Sequence, residues 1–224
     1  MSKDWPETET VFNGAGDGRL ARLLLVVAHP VDWVECCACT VLRLTERGVI
    51  VEVLAVTSGE LETHASLVKV RADRVEIESC ASAFAEHMGV SRMVFLGQRE
   101  MDISEATLTL ALVAEIRAYR PDVVATFDPT AVPLQHPDHR LVGRLVLDSL
   151  WPRASSELLH PELGPPHNTR EAWLFGSPAP DLFVKVDPDL RSRVVAAVRR
   201  SGMRGADAVP EMEENFAQIS FRYE

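Results

Sequence analysis

Short apolar runs alternate along this chain with longer amphipathic stretches. LLLVVA at 23–28 and VIVEVLAV at 49–56 are rich in Val, Leu and Ile and are bounded by turn residues, the pattern of strands buried on both faces. Between them WVECCACTVLRLTERG, residues 33–48, reads as one helix closed by Gly48, with Arg43, Glu46 and Arg47 on its wet side. The alternation continues with a long helix over about 66–88 ending before Gly89, a strand RMVFLG at 92–97, and a helix from 104 to 119 with Ser104 as N-cap. A strand DVVATF at 122–127 and a helix beginning near Asp138 follow.

Strands and helices alternating at these spacings predict an α/β protein: a Rossmann-like three-layer fold with a mostly parallel central sheet and helices on both faces. The proline-rich segment 151–168 reads as a long loop or lid. EAWLFG (171–176) and DLFVKVD (181–187) read as later strands suited to antiparallel pairing, and 189–201 as the last clear helix. Residues 1–20 are polar and aperiodic and are expected to form an N-terminal arm ahead of a single domain spanning 21–224.

Charge and composition narrow the function classes. With 23 basic against 33 acidic residues, the net charge of −10 disfavours nucleic acid or an anionic membrane as a partner, because either would repel the surface. The opening MSKDWPETET has no basic segment followed by an apolar one, and no window approaches about 18 unbroken apolar residues. A cytoplasmic location is therefore expected, and a homo-oligomer stays open. Neither G-x-G-x-x-G after the first strand nor G-x-x-x-x-G-K-[ST] occurs, so dinucleotide and P-loop chemistry have no motif behind them.

Ligands of such sheets bind outside the carboxyl ends of the strands, and two strand ends carry chemistry. The first strand ends in His29-Pro30-Val31-Asp32; the strand DVVATF leads to His136, Asp138 and His139 within four residues. Two imidazoles and one carboxylate, with a fourth position left to water, form a known catalytic zinc set, and His29, Asp32 and His139 would supply it. Each has a plainer reading as a helix cap, a strand-end histidine or a polar loop residue; their co-location at matched strand ends favours the metal. Cys36, Cys37 and Cys39 are crowded together and Cys80 stands apart. A structural zinc site usually needs a second ligand pair, so packing against the sheet is the expected role of these thiols, ahead of a thiol redox sensor.

AHPVDWVECCACT, TSGE after the second strand, HMGV followed by FLG, and HPDHRLVGRLV together resemble the PIG-L/LmbE-like family of zinc-dependent N-deacetylases. The resemblance runs over about residues 21–200, with EAWLFGSPAPD similar to the family's late strand. It implies removal of acetyl from N-acetylglucosamine-type amino sugars, with Zn2+ or another divalent metal as cofactor and a small N-acylated amino sugar as substrate. By position it makes His29, Asp32 and His139 the metal ligands, His136 the group steadying the oxyanion, and Asp138 its orienting partner.

One departure bears on activity. The family motif A-H-P-D-D has a general-base aspartate where this chain has Val31. A general base contributes about 10²- to 10⁴-fold, so a slow enzyme or a non-catalytic binding member is expected unless Glu35, Glu60 or Asp138 substitutes. The family's helix Arg and Glu also do not align with RADRVEIESC, which leaves Arg71 and Arg74 without an assigned substrate contact. Trp33 is expected to shape the pocket or to fill the strand–helix joint.

Overall fold

The computed structural model describes residues 21–61, 73–131 and 136–221; the expected N-terminal arm and the first part of the expected 66–88 helix lie outside them. The chain runs β1 (Arg22–Val27), α1 (Asp32–Cys36), α2 (Ala38–Glu46), β2 (Ile50–Thr57), α3 (Arg74–His87), β3 (Arg92–Gln98), α4 (Glu105–Tyr119) and β4 (Val123–Phe127). It continues with α5 (Pro137–Asp148), β5 (Glu171–Phe175), β6 (Leu182–Lys185), α6 (Pro188–Ser201) and β7 (Glu213–Ser220).

The seven strands form one sheet in the order β3-β2-β1-β4-β5-β7-β6. The first five are parallel, and β7 pairs antiparallel with both β5 and β6. Helices α2, α3 and α6 pack together over one face, while α4 and α5 meet on the other. The α/β three-layer architecture with a mostly parallel sheet is therefore present. The central strands are buried along their length, β4 throughout and β1 from Leu23 to Val27, which is why they read as unbroken apolar runs.

The expected single helix at 33–48 is two. Its path breaks at Cys37, whose backbone leaves the helical region and whose side chain does not cap α2. The new helix start is capped from a distance: the buried Glu214 carboxylate of β7 accepts the N–H groups of Cys39 and Thr40 at 2.8 and 2.7 Å. Two otherwise unpaired donors of the first turn are thus satisfied, and the negative charge lies at the positive end of the helix. Burial works against that charge, and the Glu214 pKa is pushed up to about 7 despite the two hydrogen bonds.

The segment 151–168 is not a lid. Helix α5 starts at the carboxyl end of β4 and, at about 1.5 Å per residue, carries the chain back to the other end of the sheet. There His167 Nε2 donates to the carbonyl of Pro121, just before β4. The buried Arg117 of α4 donates to the carbonyls of Arg153, Ala154, Ser156, Leu159, His160 and Gly164. One guanidinium thus satisfies the backbone of an irregular loop at the amino end of the strands.

Candidate metal centre

Strand order reverses between β1 and β4, and the loops leaving these two strands diverge there into a crevice. From β1 come His29, in the bend just before Pro30, and Asp32 at the start of α1. From β4 come His136, the N-cap of α5, and Asp138 and His139 in its first turn. The helix lies close on β4 because Gly143 has no side chain: a Cβ there would sit 2.3 Å from the Phe127 carbonyl oxygen.

Three atoms converge. His139 Nε2 stands 3.3 Å from His29 Nδ1 and 3.2 Å from Asp32 Oδ1, and the latter two are 3.4 Å apart. Zinc held tetrahedrally at about 2.0–2.1 Å from its ligands places neighbouring donor atoms about 3.3–3.4 Å apart. The three sides of this triangle therefore match one face of such a tetrahedron, with the fourth corner unclaimed by these residues. The residues fit a divalent metal, and the donor set of two imidazoles and a carboxylate suits zinc.

Each donor is fixed by its surroundings. The second Asp32 oxygen accepts the His29 backbone N–H at 2.7 Å. The His139 ring lies flat on Phe127, with centroids 3.9 Å apart and planes 10° from parallel. His29 is backed by Gly59 in a left-handed turn, where a Cβ would approach His29 Cβ to 3.4 Å. Burial opposes charge on both His29 and Asp32, but their neighbours outweigh it. Contact with Asp138 and then Asp32, with Glu100 adding to the field, raises the His29 pKa to about 10, and contact with His139 and then His29 holds the Asp32 carboxyl well below its usual range.

His136 stands beside the triangle, its ring centroid 4.8 Å from that of His29 and 5.4 Å from that of His139. His29, His136 and His139 can also bring one nitrogen each within 4.8 Å of one another, but only the set with Asp32 shows the shorter tetrahedral spacing. His136 Nδ1 accepts the backbone N–H of Asp138 at 3.2 Å, so its proton sits on Nε2, which is buried without a hydrogen-bond partner among the described residues. Burial and the neighbouring His29 lower its pKa. The geometry thus leaves Nε2 as the N–H end of the ring, beside the His29 and His139 rings.

Asp138 is placed differently from the expectation of an orienting partner for His136. Its Oδ2 lies 3.9 Å from His136 Nδ1 but 3.5 Å from His29 Nε2, and it accepts the Met101 N–H at 2.9 Å; its backbone N–H, not its carboxylate, bonds His136. Burial opposes its ionisation, yet these contacts keep its pKa lowered.

The other expected residues sort by burial. Val31 is half-buried, and a Cβ on Gly205 would lie 3.3 Å from its Cγ2, so it packs on the loop after α6. Glu35 is exposed on α1, while Glu60 is buried next to Gly59. Trp33 is fully buried with its ring 4.4 Å from that of Phe84, so it fills the joint between α1 and α3. Cys36, Cys37 and Cys39 are free thiols; burial, with Glu214 or Asp32 nearby, pushes all three pKa values up. That disfavours the thiolate a redox sensor needs. Arg71 lies outside the described residues, and Arg74 pairs with Glu78 at 2.7 Å.

One carboxylate near the histidines was missed. Glu100, in the loop after β3, has Oε1 3.7 Å from His29 Nε2 and 3.9 Å from His136 Nε2. The strand-end rule that located the other residues covers it too, since it follows the strand-terminal FLG by three positions.

Comparison with known proteins identifies the family and the fold. A sequence profile of the PIG-L family, GlcNAc-PI de-N-acetylase, matches residues 24–150, more than half the chain. The 1D-myo-inositol 2-acetamido-2-deoxy-alpha-D-glucopyranoside deacetylase of Mycolicibacterium vanbaalenii is 34% identical over 161 residues, 58% of this chain and 56% of the relative. A second deacetylase of that name from Saccharopolyspora erythraea is 28% identical over 192 residues, 72% of this chain and 67% of the relative. The chain spans about half the length of the first curated relatives it matches. Among solved structures, N,N'-diacetylchitobiose deacetylase from Pyrococcus horikoshii superposes with a TM-score of 0.77 at 19% identity, over 97% of this chain and 94% of that one. The 4-carboxy-2-hydroxymuconate hydratase GalB of Pseudomonas putida shares the fold at a TM-score of 0.70 and 18% identity, over 92% and 98% of the two chains.

Proposed function

Because the chain belongs to the PIG-L (GlcNAc-PI de-N-acetylase) family, we propose that it is a zinc-dependent amide hydrolase acting on a small N-acylated amino sugar, with turnover limited by Val31. The observation that carries this reading is the triangle of His29 Nδ1, Asp32 Oδ1 and His139 Nε2 with sides of 3.2 to 3.4 Å. Those three residues would hold the metal. A zinc there supplies Lewis acidity toward the acyl carbonyl and lowers the pKa of bound water to about 7.

The chain's own groups do the rest. His136, with its proton fixed on Nε2 by the Asp138 backbone N–H, donates to the oxygen that gains charge as the amide carbon becomes tetrahedral. Phe127 stacks on the His139 ring and Asp32 accepts the His29 backbone N–H, so little reorganisation is needed at the moment of reaction. Proton removal from the attacking water is where the chain is weak. The valine cannot accept a proton, Glu35 is exposed, and Asp32, Asp138 and Glu100 are already engaged, which leaves the buried Glu60 as the remaining candidate acceptor. No helix among the described residues is long and apolar enough to cross a membrane.

A second reading is favoured by the same valine: a metal-binding member that works by binding or assembly without turnover. Purified chain should take up one zinc and slowly hydrolyse N-acetylglucosamine conjugates, with both properties lost in His139→Ala. Protein that neither holds nor acquires a divalent metal would sink the metal reading; full zinc loading without turnover would select the second.

A further inference from the structure

The His29 ring has two working ends. Nδ1 belongs to the triangle, while Nε2 points into an acidic recess where three strand-end loops meet. Two carboxylate oxygens face it there, Asp138 Oδ2 at 3.5 Å and Glu100 Oε1 at 3.7 Å. Both lie in ion-pair range without full hydrogen-bond geometry, and Nε2 has no other partner among the described residues.

Glu100 is held there by design of the backbone. Its side chain is 2% exposed, and its Oε2 accepts the N–H of Leu61, in the loop after β2, at 2.7 Å. The next residue, Met101, donates its N–H to Asp138 and adopts a left-handed conformation, φ 64°, that a non-glycine residue takes at a cost. The loops after β2, β3 and β4 are thereby laced together behind His29. Asp138 Oδ2 already serves Met101, whereas the nitrogens beside Glu100 Oε1 are His29 Nε2 and His136 Nε2.

An imidazole that binds a metal through one nitrogen carries its proton on the other. A carboxylate facing that proton sets the tautomer and ring orientation and raises the basicity of the ligating nitrogen. We propose that Glu100 is a positioning residue for His29: with Asp138 it attracts the Nε2 proton and keeps the Nδ1 lone pair turned toward Asp32 and His139. This role is that of a positioning residue, with Glu100 Oε2 held by the Leu61 N–H, and is distinct from that of the proton acceptor lost at Val31. The inference rests on the metal-centre reading above.

The test uses the full chain with zinc as the probe. Glu100→Gln keeps one oxygen for the Leu61 N–H but puts an NH2 group, which cannot accept, opposite His29. Chelator competition should then show zinc bound about 10- to 100-fold more weakly, and Glu100→Asp, which keeps the charge, should recover part of the loss. Nitrogen-15 imidazole spectra of the zinc-loaded wild type should show the His29 proton on Nε2, its resonance moving upfield in Glu100→Gln. Zinc affinity within twofold of wild type in that variant, or a zinc-loaded His29 with no proton on Nε2, overturns the proposal. The second result needs no variant. A wild type that binds no zinc would instead overturn the metal-centre reading.

Discussion

Gly143 offers the sharpest test of how the fold builds the site, because two ordinary considerations oppose each other there. It lies inside α5 with no left-handed φ, so alanine should gain about 1 kcal/mol of helix propensity. Yet its Cβ would sit 2.3 Å from the Phe127 carbonyl oxygen and 3.1 Å from the carbonyl carbon. Relief requires helix and strand to separate by about 1 Å, since the obstacle is backbone and cannot swing aside; overpacking of this kind costs about 1–3 kcal/mol. We expect the upper half of that range and a net loss of about 1–2 kcal/mol, or a melting temperature lower by several degrees for a chain of this size.

The effect on the metal centre should be larger than the effect on stability. Phe127 carries the ring on which His139 stacks, and His139 lies one turn before Gly143 on α5. A shift of about 1 Å is several times the roughly 0.2 Å tolerance of a metal site, set against triangle sides of 3.2 to 3.4 Å. Gly143→Ala should therefore weaken zinc at least about tenfold in chelator competition, while thermal melting in chelator reads the fold alone. A variant that melts at or above wild type and binds zinc equally well would refute the reasoning.

Two further outcomes are expected. Val31→Asp fits the half-buried space beside Gly205 and should raise hydrolysis of N-acetylglucosamine conjugates at least about tenfold if only the proton acceptor is missing; no gain over an inactive wild type would count against the hydrolase reading. Glu214 holds its proton more tightly folded than unfolded, with its pKa raised to about 7. Its contribution is therefore fully present below the ordinary carboxylate value and is lost as pH rises to about 7, on the order of 3 kcal/mol. Denaturant unfolding in chelator should show that decline in wild type and a flatter profile in Glu214→Gln; parallel profiles would refute the assignment.

The parallel core was legible in the sequence because buried strands must be apolar throughout and must alternate with amphipathic helices. The convergence of His29, Asp32 and His139 was equally accessible, since strand ends and the switch point follow from the order of elements. What stayed hidden depended on partners distant in sequence. EENFAQIS reads as a mixed polar stretch, and it becomes a strand only because β5 and β6 flank it. The break at Cys37 could not be read from 33–48 alone, as the group that caps α2 is Glu214. The proline-rich segment read as a loop or lid from its composition, and which of the two it is depends on the length of α5 and on Arg117. Glu100 lay in a loop whose proximity to His29 is set by Leu61 and Met101.

The slot filled by β7 also bears on the order in which this protein can form during synthesis. Strands β1 to β5 can pair as soon as they emerge, but β6 joins the sheet only through β7, which the ribosome makes later. Until residues 213–220 appear, β5 shows an open edge and α2 lacks its distant cap. A chain stalled or clipped before Glu213 would keep the residues proposed to bind metal yet present a bare strand to its neighbours, an invitation to aggregation. Closure of this part of the sheet thus waits on β7, after the residues of the proposed chemistry have been made.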